Sequence, residues 1–302
     1  MRLSFLIVAG VSLALAACGQ PKHADGHTES DHAAIATKEA VAADGHAGMD
    51  MNMDMSDAGH GHGAPTMKLA LDAAGPFVPG RSQTVTLSLT DVATGASLGP
   101  DELALAHTKK LHLLIVDASL TDYQHIHPVA GARPGEWTFM FTPRFGRTYK
   151  VWADATRKDG DQEYVAADLI AGTQTGPAPD ARPVGVGEAD GLKFSLSFAG
   201  PVKAGQGVMG SVAVIDSRTG QPFTQLQPIM GAFGHVVAFS RDWSAIEHVH
   251  PQGVEPKEAS DRSGPVIDFH IEPRNPGVLK IFVQVMAKGR EIIVPFTVNV
   301  EA

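Results

Sequence analysis

The chain contains an internal duplication, most visible as a histidine pattern that occurs twice with the same spacing. In each copy one histidine precedes a His-x-His-Pro motif by 13 positions. The six histidines are His112, His125 and His127 in the first copy and His235, His248 and His250 in the second. Repetition of a spaced pattern indicates two copies of one structural unit. The chain must therefore fold as two related domains.

The duplication extends along most of the chain and sets the domain boundaries. Matching residues such as Lys68 and Lys193 are 125 positions apart, and the offset falls to 123 at the histidines. Changes of this size belong in loops, since loops tolerate insertions. We predict domains at 66–170 and 191–302. The segment 171–190 between them is rich in Gly, Pro, Ala and Thr, which is typical of a linker.

The hydrophobic pattern of both halves predicts strands. Several short runs are β-rich in composition, some alternate polar and apolar residues, and turn residues separate them. The runs are Thr84–Thr90, Leu111–Val116, Trp137–Thr142, Phe194–Phe198, Ser211–Ile215 and Val278–Met286. No long segment has a helical period that ends in caps. The fold class is therefore all-β, with two tandem homologous β-sandwich domains of immunoglobulin-like type; a small barrel is the alternative.

Strand geometry gives the histidine pattern a physical meaning. In a His-x-His motif on a strand, both rings point to the same face. His112 precedes His125 and His127 by odd separations, so a hairpin can place it opposite either one, on their face of the sheet. Three converging imidazoles predict a metal site, and the same holds for the copy that begins at His235. The alternatives are a purely structural use of the histidines and one binuclear centre where the domains meet.

A fourth ligand is predicted on the next equivalent strand. Alignment of the halves through Pro143 and Pro273 matches Met140 with His270. A mixed histidine and methionine set suits copper in either oxidation state, whereas four histidines suit Cu(II) or zinc. The alternative for Met140 is an ordinary core methionine.

The segment 18–65 has a composition that differs from the rest of the chain. It is rich in histidine and carboxylates and almost without large apolar residues, so it cannot form a core and is predicted to be disordered. Its candidate metal ligands are Met49, Met51, Met53, Met55, His60 and His62. Thioether sulfur favours Cu(I). The segment resembles the Met- and His-rich segments of periplasmic copper-handling proteins, which implies that it captures metal.

The N-terminus predicts export. Residues 1–17 form a short basic start and an apolar run too short to span a membrane, as in a signal peptide. The tetrad Leu15-Ala16-Ala17-Cys18 resembles the lipobox of bacterial lipoproteins. The resemblance implies cleavage before Cys18 and acylation of its thiol. Since Gly19 follows, it also implies a lipid anchor in the outer membrane that faces the periplasm.

Charge and motif content exclude several classes of function. The chain has 24 basic and 33 acidic residues, a net charge of −9, and no basic cluster, which argues against nucleic acid as a partner. No nucleophile elbow, His-Glu-x-x-His motif or phosphate loop is present. Glu247 beside the second triad corresponds to Gln124 beside the first, so no carboxylate accompanies both triads. We therefore predict a binding protein and no enzyme.

Together these features predict an envelope lipoprotein that binds copper, with zinc as the alternative. Its partners would be metal ions, the membrane through the lipid anchor, and a periplasmic protein that receives the metal. Its role would be scavenging, buffering or delivery. The domains resemble the small secreted immunoglobulin-like domains found beside bacterial metal-handling proteins. The alternatives are a surface lipoprotein whose domains bind a protein or glycan and, third, a metal-dependent hydrolase.

Overall fold

The computed structural model describes residues 64–73, 75–249 and 251–302, except for the side chain of His248. The predicted signal peptide lies outside the described residues, as does nearly all of the tail. The same is true of the following predicted site residues: Cys18, Met49, Met51, Met53, Met55, His60, His62 and His250. Within the described ranges the regular structure consists of strands, and no helix there is long and apolar enough to cross a membrane.

The first half forms two antiparallel sheets. Its strands are β1 (Met67–Ala73), β2 (Gln83–Asp91), β3 (His112–Asp117), β4 (Tyr123–Ile126), β5 (Val129–Ala130), β6 (Glu136–Phe141), β7 (Thr148–Thr156) and β8 (Gln162–Ile170). The sheet orders are β1-β2-β6-β5 and β4-β3-β7-β8. The three strands predicted in this half are confirmed as β2, β3 and β6.

The second half repeats this arrangement. Its strands are β9 (Val186–Ala189), β10 (Leu192–Phe198), β11 (Val208–Asp216), β12 (Leu226–Gln227), β13 (His235–Ser240), β14 (Ile246–Val249), β15 (Val266–Ile271), β16 (Gly277–Ala287) and β17 (Arg290–Val300). One sheet has the order β15-β11-β10-β9; the other has the order β12-β16-β13-β14, with β17 paired to β16. The predicted strands are confirmed as β10, β11 and β16.

The segment predicted as a linker contains a strand near its C-terminal end. Strand β9 lies inside 171–190 and pairs with β10 along its whole length. Asp190 and Gly191 join the two strands, both with positive φ (50° and 73°), as a tight hairpin turn requires. The sequence of β9, Val-Gly-Glu-Ala, has little strand character of its own. It is a strand because it pairs with β10, and the local sequence pattern does not predict this pairing.

Alternation along the strands builds a separate core in each half. In β2, Val85, Leu87 and Leu89 are buried while the threonine and serine residues between them are half-exposed. Each such apolar side chain contributes about 1.5–3 kcal/mol when it leaves water. The inner faces of the two sheets form one core in the first half and a corresponding core in the second. The all-β fold with two tandem sandwiches is therefore confirmed.

A third core joins the two halves into one compact unit. Strand β3 is buried on both faces. Leu113 and Ile115 enter the core of the first half, whereas Leu114 and Val116 pack against the second half. Across this interface Tyr123 stacks on Phe282, with ring centres 4.6 Å apart. His112 is in phase with Leu114, so its ring faces the interface between the halves.

Candidate metal centre

The first predicted triad converges in the structure. Strands β3 and β4 are paired so that Leu114 lies opposite His125. If this register is followed two residues further along each strand, His112 lies opposite His127. His112 Nδ1 lies 3.1 Å from His125 Nε2 and 3.1 Å from His127 Nε2. One ring nitrogen from each residue lies within 4.8 Å of the others. Nitrogens 2.0–2.1 Å from a tetrahedral ion are about 3.3 Å apart, so the spacing fits one shared ion.

A hydrogen bond on the side of the ring away from the triad fixes the orientation of His112. Its ring is 1% exposed, and Nε2 lies 3.0 Å from the carbonyl oxygen of Ala106. Because a carbonyl only accepts hydrogen bonds, Nε2 carries the proton. Nδ1 therefore presents a lone pair to His125 and His127. A hydrogen bond that fixes the tautomer of a histidine in this way is usual for a metal ligand.

The second half of the chain fixes His125. Its Nδ1 lies 2.9 Å from Gln284 Oε1, and Gln284 Nε2 in turn donates to Glu291 Oε1 at 2.6 Å. The carboxylate of Glu291 only accepts, so it sets the amide orientation of Gln284. Gln284 Oε1 then accepts from Nδ1, and His125 Nε2 keeps its lone pair. The lone pairs of His112 and His125 thus face each other at 3.1 Å, an arrangement that is stable only with a proton or a cation between them.

A metal ion at the triad predicts that replacement of Gln284 weakens its binding without removing a ligand. We expect Gln284→Ala to raise the dissociation constant for copper 10- to 100-fold, the usual effect of losing a group that orients a histidine ligand. His270→Ala, which changes a histidine on the other sheet of its sandwich, is the control and should stay within a few-fold of wild type. Competition titration against a chelator measures both constants. Equal affinities for wild type and Gln284→Ala would contradict the role assigned to this side chain.

Two buried polar residues occupy equivalent positions in the two halves, each opposite the first histidine of its triad. The sequence analysis missed both. Asp154 on β7 pairs directly with His112, and Gln284 on β16 pairs directly with His235. Each is 2% exposed. Asp154 accepts a hydrogen bond from Gln162 Nε2 at 2.7 Å. Matching of the two halves by histidine alone could not reveal them, because the residue type differs between the copies.

The second triad is described only in part. His235 is fully buried, and its Nε2 lies 3.1 Å from the carbonyl oxygen of Ile229. The equivalent contact in the first half joins His112 Nε2 to the carbonyl oxygen of Ala106. Strands β13 and β14 pair with Val237 opposite His248, which matches the register of the first copy. The side chain of His248 and all of His250 lie outside the described residues. The His235 ring is 5.9 Å from that of His125, so the two copies of the pattern approach each other at the interface.

The predicted fourth ligands lie on strands of the sheets that do not carry the triad histidines. Met140 lies on β6 in the other sheet of its sandwich, 55% exposed, with its sulfur 3.2 Å from Thr84 Oγ1. His270 lies on β15 in the equivalent sheet and packs against Gly207. Both alternate with core residues and so face away from the sandwich interior. Both strands therefore belong to the other sheet of their sandwich.

The structure adds one histidine that the sequence analysis did not select. The His107 ring centre lies 6.0 Å from that of His112 and 6.4 Å from that of His235. At the offset of 123 residues, His107 corresponds to Met230. A search for histidines repeated in both halves therefore passes over it. A search for any metal-ligating residue type at the equivalent position would have found the pair.

Comparison with known proteins assigns the chain to a family. A family model described as a domain of unknown function (DUF8832) matches residues 63–172 and again residues 187–302. The chain belongs to the DUF8832 family. The two matches correspond to the two sandwiches, so each sandwich is one copy of the DUF8832 domain. A search of the curated proteins finds no match.

Solved structures resemble this DUF8832 protein only distantly. The Escherichia coli adhesin FdeC is 16% identical, with 78% of this chain and 64% of that chain covered and a TM-score of 0.26. Red sea bream transglutaminase is 10% identical (80% and 32% covered, TM-score 0.24). Trypsin-activated alpha-2-macroglobulin from Escherichia coli is 11% identical (78% and 16% covered, TM-score 0.25). The chain spans less than two thirds of each of these structures.

Proposed function

We propose that this protein is an envelope lipoprotein that binds a transition metal, copper in the first place, through His112, His125 and His127. One observation carries the proposal: His112 Nδ1 and His125 Nε2 lie 3.1 Å apart, and the other nitrogen of each ring lies within hydrogen-bond distance of an oxygen acceptor, which leaves a lone pair on each of the facing nitrogens. A cation removes the repulsion between these lone pairs, and His127 supplies a third nitrogen. Three imidazoles suit copper and zinc alike.

The composition of the tail supports copper over zinc in this proposal. Four methionines alternate with Asp and Asn between Met49 and Met55, and thioether sulfur favours Cu(I) over zinc. In this proposal the tail captures copper near the membrane, to which acylated Cys18 attaches the chain. The triad then holds the ion for buffering or for delivery to a periplasmic protein. His125 and His127 are half-buried and His112 is buried, so the ion would enter from the side of the His-x-His motif.

Titration of the full chain tests the proposal. The chain carries Cys18→Ser in every sample, so that no thiol competes for the metal. Copper and zinc are titrated against a chelating competitor into wild type and into His125→Ala/His127→Ala. The double variant should lose one tight equivalent, with at least a thousand-fold weaker binding there. His270→Ala, a histidine on an outer sheet, is the matched control and should lose none. Equal counts in wild type and the double variant would refute the triad as a site.

The tail predicts a difference between oxidation states. Replacement of Met49, Met51, Met53 and Met55 by Ser removes four soft ligands and leaves the imidazoles in place. We expect the number of bound Cu(I) ions to fall by at least one and the number of bound zinc ions to stay the same, because zinc prefers nitrogen to thioether sulfur. Equilibrium dialysis with metal analysis measures both. An unchanged Cu(I) count would contradict copper capture by the tail and leave it only the role of a tether.

A further inference from the structure

An amide and a carboxylate form a hydrogen-bonded pair at equivalent places in the two halves. In the first half Gln162 Nε2 donates to Asp154 Oδ1 at 2.7 Å. In the second half Gln284 Nε2 donates to Glu291 Oε1 at 2.6 Å. The inner member, Asp154 or Gln284, lies opposite the first histidine of its triad, and the outer member lies opposite the residue two positions further along the inner strand. The residue types are exchanged between the halves, yet the bond between amide and carboxylate is present in both.

In the second half this pair determines which way the Gln284 amide faces. Its Oε1 lies 2.9 Å from His125 Nδ1, and its Nε2 lies 2.6 Å from Glu291 Oε1. If the amide turned over, its oxygen would lie against the Glu291 carboxylate. Two acceptors at this distance repel each other, because neither brings a proton. Glu291 therefore prevents the turn and keeps an acceptor in front of His125.

The turned amide would suit the metal-free triad better than the observed one. Its N–H would donate to His125 Nδ1, and the His125 ring would then carry its proton on Nε2. That proton would lie between His125 Nε2 and His112 Nδ1, which are 3.1 Å apart, and would complete an ordinary hydrogen bond. Both nitrogens would then be occupied and lost to an ion. The observed orientation thus maintains an arrangement that is unfavourable until a cation arrives.

We propose that Glu291 is a positioning residue of the metal centre, which acts through Gln284 to keep His125 in the tautomer that binds metal. Glu291 is exposed and belongs to the second half, so a surface group of one copy of the repeat controls a ligand of the other copy. This control lowers the stability of the metal-free chain and raises its affinity for the ion, the trade-off expected of a preorganised site. The effect on binding rests on the proposed function, whereas the effect on the tautomer needs no metal.

Glu291→Gln tests the proposal, because it keeps the volume of the side chain and supplies an amide that can donate to a turned Gln284. We expect the dissociation constant for copper to rise at least ten-fold, as when a group that orients a histidine ligand is lost. Nitrogen-15 NMR of the metal-free chain should show a proton on His125 Nδ1 in wild type and its absence in the variant. The melting temperature of the metal-free variant should exceed that of wild type. All samples carry Cys18→Ser.

An exchange of the two side chains is the matched control. Gln284→Glu/Glu291→Gln reproduces the order of the first half, with the carboxylate inside and the amide outside. The inner carboxylate accepts from His125 Nδ1, so the proton on Nδ1 should return. Copper should bind at least ten-fold more tightly to this double variant than to Glu291→Gln. Glu188→Gln, at an exposed carboxylate of β9, should behave as wild type throughout.

The outcomes separate this inference from the proposed function. A wild-type dissociation constant for Glu291→Gln, with the proton still on His125 Nδ1, overturns the inference and leaves the triad standing. Weaker binding with a lower melting temperature and an unmoved proton shows general damage, and it overturns the inference as well. If wild type binds no metal at the triad while the proton moves in Glu291→Gln as expected, the proposed function fails and control of the tautomer by Glu291 is supported.

Discussion

Copper(II) at a thousand times its dissociation constant is expected to raise the free energy of unfolding of the wild-type chain by about 4 kcal/mol. The gain arises because the triad exists only in the folded state, where the pairing of β3 with β4 and the contact with Gln284 bring the rings together. For a chain of this size each kcal/mol shifts the melting temperature by roughly 2–4 °C, so the shift should be on the order of 10 °C.

Thermal unfolding with and without metal measures the effect, and His125→Ala/His127→Ala should abolish it. Copper that folded and unfolded chains bind equally adds no stability. The measured stabilisation therefore reports only ions that the folded structure holds, and not ions that a segment binds equally well in the folded and the unfolded chain. His270→Ala should behave as wild type. A double variant that gains as much stability from copper as wild type does would show that the stabilising ion lies elsewhere.

Removal of the buried cation Arg147 should cost about 3–5 kcal/mol. Its Nη1 lies 3.0 Å from Asp117 Oδ2 and 3.1 Å from Ser119 Oγ, and the Asp117 side chain is fully buried. Arg147→Met keeps much of the volume but leaves the Asp117 charge without a counter-charge. Asp117 begins the loop that leads to β4, so the cost falls on the hairpin that carries His125.

Urea unfolding at neutral pH measures the cost, and Arg182→Met is the matched control. Arg182 makes an ion pair with Asp180 that is largely exposed, and such pairs contribute at most about 1 kcal/mol. A double-mutant cycle of Arg147→Met with Asp117→Asn should show a coupling energy of roughly 0.5–3 kcal/mol. Equal losses in Arg147→Met and Arg182→Met would show that burial of the Arg147 pair has no energetic consequence.

The hydrogen bonds of Asp117 in the same loop predict how the free energy of unfolding depends on pH. Burial raises the pKa of Asp117, but hydrogen bonds from the Ser119 hydroxyl and from the backbone N–H groups of Asp122, Thr121 and Ser119 outweigh burial, and the pKa is lowered. A carboxyl whose pKa is lower in the folded state stabilises above its unfolded value of about 3.9 and loses this contribution as pH falls through the folded pKa. The stability supplied by Asp117 is thus complete at neutral pH and disappears only in strong acid.

How far the sequence determines the site can be judged residue by residue. The odd spacing of His112 from His125 and His127 was enough to predict a shared face, because side chains alternate along strands. The four consecutive apolar residues from Leu113 to Val116 also carried a signal that was not used. A strand apolar on both faces is buried on both faces, here against the second half.

The contacts between the halves could not be predicted from local pattern. Gln284 lies 159 positions from His125, and only the packing of one sandwich against the other brings them within hydrogen-bond distance. Sheet membership is a second example. The strands of Met140 and His270 follow the histidine hairpins in sequence but belong to the other sheet of each sandwich, and sequence alone does not show which strand joins which sheet.

The most direct test of the central claim is an anomalous diffraction map at the copper edge from crystals of the full chain grown with copper. A metal at the triad predicts a peak about 2.0–2.1 Å from His112 Nδ1, His125 Nε2 and His127 Nε2. Well-defined density for the three rings with no peak between them, at copper concentrations that load other sites, would contradict a metal function for the triad.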